Sequence, residues 1–177
     1  MSRGQSTSGV KSGDAYNPGV RASEFDELAY FRAIHDSGVR ALLIGRRVLV
    51  LLGLPVLSAV YDFWIAIEDI EGFNTASMAV ELSPTHEPDV ARRRGRYVLE
   101  NDEHVNVLVA RSVPTIDGVT VAFADVWSRR RSIELAPGVL VQVPTIDDLI
   151  LTKRFGARAK DLEDIRLLNV LKSEESQ

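Results

Sequence analysis

An apolar stretch from Val48 to Ile67 constrains the fold of this chain more than any other segment. Its length is close to the ~20 residues that cross a bilayer as a helix. Gly53-Leu54-Pro55 interrupts the stretch, however, and a membrane-spanning helix would place the charged Asp62 in hydrocarbon at a high cost in free energy. A buried helix, a turn and a buried strand accommodate the same residues in an α/β core. We therefore expect no membrane span.

The composition is typical of one globular domain. The chain has 177 residues, of which 45% are hydrophobic and 26% are charged. The net charge of −4 argues against a general nucleic-acid coat or a protein that binds acidic membranes, although a local basic patch is compatible with it. The absence of cysteine excludes disulfides, thiolate nucleophiles and cysteine-ligated metals, and three scattered histidines do not predict a histidine-rich metal site.

The N-terminal segment differs in composition from the remainder. Residues 1–19 contain four Gly, four Ser and one Pro, with almost nothing to bury. We therefore expect a flexible tail over residues 1–22 and a folded domain over residues 23–177. No apolar segment of the signal-peptide kind occurs in the first 20 residues, and the expected location is the cytoplasm.

Periodicity and breakers predict alternating helices and strands in the first half. Ser23 is expected to cap a helix over Glu24–Asp36, ended by Gly38. The elements expected next are a buried strand, a short helix, a second strand and a helix capped by Asn74: Ala41–Ile44, Arg46–Leu52, Tyr61–Ile67 and Thr75–Leu82.

The second half is predicted to contain a hairpin and two C-terminal helices. Thr85–Arg94 is polar and predicts no regular element. The expected strands are Arg96–Glu100 and His104–Val109 in a hairpin, with Val119–Phe123 and Val139–Val143 at the periphery. The expected helices begin at Ile146, capped by Thr145, and cover Lys160–Leu171.

A strand, a glycine, a short helix and a strand with a carboxylate form the most informative constellation. Gly45 follows a buried strand, so its backbone can approach a ligand, and the next turn offers free N–H groups to a phosphate. Asp62 on the adjacent strand is suited to hold a divalent cation against such a phosphate. The alternative is structural: Gly45 makes a tight turn and Asp62 is a hydrogen-bonded strand carboxylate.

The segment LLIGRRVLVLLGLPVLSAVYDFWIAI resembles the opening motif of the DNA polymerase β-like nucleotidyltransferase superfamily, in particular its small bacterial members of toxin–antitoxin type. The matching positions are Gly45, Gly53, Ser58 and Asp62. The segment Leu149–Leu168 is similar to the helical end of these proteins, and the positions that match there are Lys153, Arg158, Lys160-Asp161 and Asp164-Ile165. The resemblance covers about residues 24–171.

The resemblance implies a mixed β-sheet flanked by helices, with a helical C-terminus. It implies transfer of a nucleoside monophosphate from an NTP to a hydroxyl on RNA, protein or a small molecule, with Mg²⁺ ions held by three carboxylates. Asp62 would be the catalytic metal ligand. The residues expected to bind the nucleotide and its phosphates are Gly45, Arg46, Arg47, Ser58 and Lys153. For Lys153, a salt bridge with Asp148 or a neighbouring acid is the alternative.

The metal-binding motif departs from the pattern of that superfamily. Val60 and Asn106 stand at positions where the resemblance implies carboxylates. A valine offers no oxygen to a metal, and a neutral amide supplies neither charge nor a base. Arg46 replaces a small residue of the glycine turn, and Val56 replaces an arginine. We expect two-metal transfer to be weakened or absent, because one carboxylate cannot hold two Mg²⁺ ions against their repulsion.

Other charged residues offer partial compensation. Three further acids are candidate metal ligands: Glu68, Asp69 and Asp125. The alternative for Glu68 and Asp69 is an exposed acidic loop, and the alternative for Asp125 is a helix cap. The runs Arg92-Arg93-Arg94-Arg96 and Arg129-Arg130-Arg131 are candidates for contact with a polynucleotide or an acidic partner, or else solvated loops. His104, beside the hairpin turn, is expected to be exposed.

Two hypotheses follow from these residues. The first is a residual nucleotidyltransferase that acts on an NTP and an RNA or protein acceptor, with Mg²⁺ if any binding persists. The second is a non-catalytic pseudoenzyme that binds a nucleotide or a cognate partner protein. Metal-dependent turnover distinguishes them.

Overall fold

A five-stranded mixed sheet occupies the centre of the computed structural model, which describes residues 25–156 and 158–177. The strand order is β1-β2-β5-β4-β3, in which β2 and β5 are parallel and the other neighbours are antiparallel. The strands are β1 (Ala41–Ile44), β2 (Tyr61–Ile65), β3 (Ser83–Pro84), β4 (Arg96–Glu100) and β5 (His104–Leu108). The parallel pair β2 and β5 brings residues from distant parts of the chain side by side.

Two hairpins and several helices surround this sheet. The hairpins are β6 (Ser112–Pro114) with β7 (Thr120–Ala122), and β8 (Arg131–Ala136) with β9 (Val139–Val143). The helices are α1 (Glu27–Ser37), α2 (Gly45–Leu51), α3 (Ile70–Met78), α4 (Pro88–Arg94), α5 (Phe123–Arg129), α6 (Ile146–Lys153) and α7 (Ala159–Glu175). A single 3₁₀ turn, Ile67–Asp69, leads from β2 into α3.

The two faces of the sheet are buried to different extents. One face packs against α1 and α3 through aromatic side chains, among them Phe31, Phe63 and Phe73. The other face carries a smaller cluster around Trp64 and Phe123, beneath β7 and α5. Because successive side chains of a strand alternate between faces, Asp62 lies on the same face as Trp64, next to the smaller cluster. That part of the face stays open to solvent.

The predicted fold class, a mixed sheet flanked by helices with a helical C-terminus, is confirmed. The bounds of β1, β4 and β9 are as predicted, and the hairpin of β4 and β5 is present. Thr145 caps α6, since its hydroxyl accepts a hydrogen bond from the Asp148 amide. These elements depend on signals within a few residues, which explains why the sequence was sufficient to locate them.

The predicted caps of two helices are wrong. The first helix begins at Glu27, where Asp26 accepts a hydrogen bond from the Ala29 amide; Ser23 and the predicted tail lie outside the described residues. Asn74 lies inside α3 and is buried, and its side chain accepts a hydrogen bond of 2.6 Å from the Tyr97 hydroxyl. A tertiary partner on β4 thus takes the place of the expected cap.

The predicted polar loop over Thr85–Arg94 is also wrong, because it contains α4. Pro88 occupies the first turn of this helix, and Gly95 ends it with a left-handed φ of 72°. A proline at the start and a glycine at the end are typical of helices, but the scarcity of apolar residues between them gave no amphipathic pattern. The strands β3, β6 and β8 and the helix α5 were not predicted.

No helix in the described part of the chain is long and apolar enough to cross a membrane. The apolar stretch from Val48 to Ile67 is divided among α2, a connecting loop and β2. Its most apolar residues, such as Leu49 and Ile65, are fully buried in the larger core. The stretch is therefore apolar because it forms the centre of the domain.

Candidate functional site

A cleft of about 550 Å³ opens where the N-terminal end of α2 meets β2 and β5. The end of α6 and the start of α7 form its opposite wall. Several side chains that the sequence did not single out line it, together with residues of the predicted site. The predicted residues are Gly45, Arg46, Ser58, Val60, Asp62, Asn106 and Lys153. The fold therefore brings to one place seven of the eight positions that the resemblance marked as the site, all except Arg47.

Gly45 allows the Asp62 carboxylate to lie directly against the backbone at the start of α2. Its φ is +72°, in the left-handed region that favours glycine. A Cβ atom at this position would lie 2.3 Å from Oδ2 of Asp62, well inside van der Waals contact. Both the backbone conformation and the position of Asp62 thus require a residue without a side chain.

Asp62 and Asn106 are direct neighbours in the register of β2 and β5. Nδ2 of Asn106 donates a hydrogen bond of 3.0 Å to Oδ1 of Asp62. On its other side, Oδ1 of Asn106 lies 3.1 Å from Nε2 of His104, whose side chain is exposed as predicted. The amide therefore joins the imidazole to the carboxylate in one hydrogen-bonded row.

The residues present do not fit the two-magnesium centre that the resemblance implies. Among the residues that the structure describes, no three acidic or imidazole side chains are close enough together to hold a metal ion. Val60 lines the cleft without a donor atom, and Asn106 presents its N–H to Asp62 where a second carboxylate would repel it. One carboxylate with an amide neighbour lacks the charge for two divalent cations.

A buried carboxylate, Asp164, lies behind the cleft and binds two cations. Nζ of Lys153 is 2.7 Å from Oδ2 of Asp164, and both side chains are buried. Nε of Arg46 lies 3.0 Å from Oδ1 of the same group. The hydrogen bond to Asp164 raises the pKa of the Arg46 guanidinium above its usual value. Asp164 thereby joins α2, α6 and α7.

Arg46 and Lys153 line the cleft, and both already have an anionic partner. The alternative for Lys153 was a surface salt bridge with Asp148 or a neighbouring acid; Lys153 pairs with another acid, Asp164, and the pair is buried. Asp148 instead binds Arg129. Sequence spacing could not show this, because Arg46 and Asp164 are 118 positions apart.

Arg47 does not line the cleft, contrary to expectation. Its guanidinium forms a salt bridge with Glu27 and lies 5.1 Å from the ring centroid of Tyr61. Burial of Tyr61 raises the pKa of its hydroxyl to about 12, which Glu27 reinforces and Arg47 opposes. Arg47 therefore fastens α2 to α1 and β2.

Ser58 does line the cleft, and its hydroxyl donates to the carbonyl oxygen of Val60.

Three exposed cations complete the cleft: Arg96, Arg158 and Lys160. The last two belong to the C-terminal motif, of which the sequence analysis assigned only Lys153 to the site. With Arg46 and Lys153 they make five cationic side chains. Acids of α7 pair with Arg46, Lys153 and Arg158, which leaves Arg96 and Lys160 as the unpaired cations beside Asp62 among the described residues. Within the described ranges, Arg96 and Lys160 form no salt bridge, unlike Arg158, which binds the buried Asp161. In a chain of net charge −4, this cleft is a local cationic surface.

The acids considered as substitute ligands lie elsewhere. Asp69 accepts hydrogen bonds from the backbone and the guanidinium of Arg40, and Glu68 pairs with Arg111. Both acids follow the C-terminal end of β2, whereas Asp62 is near its start. Arg40 lowers the pKa of the Asp69 carboxyl. Asp125 lies within α5 and does not cap it, because that helix begins at Phe123. None of the three lines the cleft.

Each arginine of the second run contacts another side chain at the surface of the fold. Arg129 binds Asp148, Arg130 lies 4.0 Å from the ring centroid of Trp127, and Arg131 pairs with Glu175. These contacts give each arginine a partner within the fold, and all three side chains stay exposed. In the first run, Arg92 is bound by Glu71 and Asp89.

Solved structures share this arrangement of strands and helices. The antibiotic-resistance factor ANT(2'')-Ia matches over 83% of this chain and 82% of its own, with 13% sequence identity and a TM-score of 0.55. TM1012 from Thermotoga maritima, which is regarded as a nucleotidyltransferase, matches over 83% of this chain and 88% of its own, with 13% identity and a TM-score of 0.52. No protein-family model and no curated protein sequence matches significantly. The chain therefore has the nucleotidyltransferase fold.

Replacement of Gly45 by alanine is expected to destabilise the protein more than the same change at Gly53. Both glycines have a positive φ, and alanine there costs about 1–2 kcal/mol. Only at Gly45 would the new methyl group meet Asp62, which adds about 1–3 kcal/mol of overpacking. Chemical denaturation of the two variants measures the difference. Equal losses of stability would contradict the close approach of Asp62 to Gly45.

Replacement of Asp164 by asparagine is expected to lower the free energy of unfolding by about 3–5 kcal/mol, because it leaves the buried Lys153 ammonium without a counter-charge. Glu163→Gln is the matched control. Glu163 also binds Arg46, but its side chain is 66% exposed, and loss of such a pair costs less than about 1 kcal/mol. Guanidinium denaturation of both variants tests the assignment, which fails if the two lose the same stability.

Proposed function

We propose that this protein binds a nucleoside triphosphate in the cleft and has weak or no nucleotidyl transfer activity. The observation that carries the proposal is the pair formed by Asp62 and Asn106, an amide beside a lone carboxylate in a cation-lined cleft. The surrounding cations favour a polyphosphate, and the pair lacks the charge for two-metal chemistry. The proposal unites the two hypotheses drawn from the sequence.

The charges of the cleft support binding of a polyphosphate. Lys160 and Arg96 are exposed and form no salt bridge with another described residue, so their charges are available to a ligand. Arg158 is also exposed, and Asp161, Asp62 and Asp164 together raise the pKa of its guanidinium. Phosphate oxygens accept charge-assisted hydrogen bonds from such groups. The volume of about 550 Å³ lies in the range of small-molecule sites, about 300–1,000 Å³.

The backbone at Gly45 supports the same conclusion. A residue without a side chain lets a ligand approach the start of α2 as closely as Asp62 does. Ser58 and the exposed Leu57 belong to the loop between α2 and β2, which forms the cleft rim. The Ser58 hydroxyl, which donates to Val60, keeps its oxygen lone pairs for a sugar hydroxyl, and Leu57 offers an apolar side chain for a base.

The geometry argues against efficient transfer. In-line displacement on a phosphate needs the developing negative charge to be neutralised. Val60, Asp62 and Asn106 supply one negative charge where the superfamily pattern has three. Asp161, the other acid among the described residues that line the cleft, is bound by Arg158. The cations that remain in the cleft can bind and orient phosphates but cannot deprotonate an acceptor hydroxyl. Binding without rapid turnover is therefore the expected behaviour.

Charge reversal at Lys160 tests the binding site. Lys160→Glu is expected to weaken binding of ATP at least tenfold, because one charge-assisted hydrogen bond contributes about 1.5–3 kcal/mol. Arg166→Glu is the matched control: Arg166 is an exposed residue of the same helix that does not line the cleft. Isothermal titration with each of the four NTPs measures both variants. If Lys160→Glu and Arg166→Glu behave alike, the nucleotide does not occupy this cleft.

Restoration of the missing carboxylates tests the proposed loss of transfer. The variant Val60→Asp/Asn106→Asp is expected to transfer α-labelled NMP to RNA or to itself with Mg²⁺ or Mn²⁺ at least a hundredfold faster than the unmodified chain. Val60→Asn is the control, since it adds a polar group at the same position without charge. Rapid transfer by the unmodified chain would contradict the proposal and would require a different acid in the catalytic role.

A further inference from the structure

A second groove, of about 620 Å³, adjoins the cleft on the open face of the sheet. Side chains of β4 and β5 form its floor, and Thr85 and His86 border it near the sheet edge. Arg96, Asn106 and Leu108 line both the groove and the cleft. A molecule in the groove would therefore lie next to Asn106, the hydrogen-bond partner of Asp62.

The groove is cationic. Arg94, Arg96 and His86 line it, and no acidic side chain of the described residues does. In the same part of the chain, neither Arg94 nor Arg96 forms a salt bridge, whereas Arg92 of the same run is bound by Glu71. Two guanidinium groups thus face a groove without an anionic partner. Such groups bind phosphate oxygens through paired, planar hydrogen bonds.

The turn at Gly95 explains why both arginines reach this groove. Gly95 ends α4 with a φ of +72°, and β4 begins at the next residue. Arg94 is the last residue of the helix and Arg96 is the first of the strand, so the reversal at Gly95 places both on one wall. Arg93, although exposed and adjacent, does not line the groove.

We propose that this groove binds a phosphate group of a second ligand, held by Arg94 and Arg96 beside the nucleotide in the cleft. The inference rests on the proposed function only for the presence of that nucleotide. The groove selects an anionic second ligand and disfavours a polycationic one, since a cation would meet two unneutralised guanidinium groups. The phosphate can belong to a single nucleotide or to a strand, because an open groove of this size admits either.

Binding of a fluorescein-labelled trinucleotide, UpUpU with a 5′-phosphate, tests the proposal on the full chain saturated with ATP. Arg94→Gln is expected to weaken binding of the trinucleotide about tenfold and to leave the affinity for ATP within twofold, because Arg94 lines the groove and not the cleft. The dependence of binding on salt should also decrease, by about 0.7 in the log–log slope for each phosphate that the variant no longer neutralises.

Arg93→Gln is the matched control, since it removes the same charge from the neighbouring position. Equal affinity of the Arg93→Gln and Arg94→Gln variants for the trinucleotide overturns the proposal, and so does the absence of any trinucleotide binding. If UMP displaces the trinucleotide and binds as tightly, the ligand is a single phosphate monoester. If only longer strands displace it, the ligand is a polynucleotide chain.

The ATP titration separates the two proposals. If ATP does not bind but Arg94→Gln still weakens the trinucleotide, the groove is retained and the proposed function fails. If ATP binds and the trinucleotide does not distinguish the two arginines, the groove is rejected and the proposed function stands.

Discussion

The ion pairs of Asp164 hold the walls of the cleft together. This carboxylate is completely buried and binds Lys153 at the end of α6 and Arg46 at the start of α2. A buried charge without a partner costs several kcal/mol, so the three groups are stable only together. Because they come from three helices, their pairing holds α2, α6 and α7 to one another, and these helices form the cleft walls around Asp62.

Internal pairing also decides which charges are left for a ligand. Three arginines form salt bridges with acids of the fold: Arg46 with Asp164, Arg47 with Glu27, and Arg129 with Asp148. Three of the cations that form no salt bridge with a described residue line the cleft or its neighbouring groove: Arg94, Arg96 and Lys160. Others, such as Arg93 and Arg166, are exposed elsewhere. An acidic protein can therefore present a cationic surface, because its excess of carboxylates lies elsewhere on the molecule.

The parallel register of β2 and β5 gives Asp62 its chemical character. The register places Asn106 beside Asp62, and the amide N–H satisfies one oxygen of the carboxylate. A carboxylate at position 106 would instead repel Asp62 and share cations with it. The same backbone positions can thus carry a group of carboxylates or a hydrogen-bonded pair, and the side chains at positions 60 and 106 decide between them. The closeness of Gly45 keeps Asp62 in place in this arrangement.

Local patterns in the sequence were sufficient to predict β1, the hairpin of β4 and β5, and the Thr145 cap. They also indicated that Gly45 and Asp62 lie close together. Each of these features depends on neighbouring residues or on adjacent elements. The tertiary structure alone decided which cations at the cleft are paired with an acid and which are not. The acid that pairs with Arg46 is 118 positions away along the chain, and no periodicity records a contact at that distance. Positions along a helix show which residues share a face. Which charged residue of another element packs against that face depends on the tertiary structure.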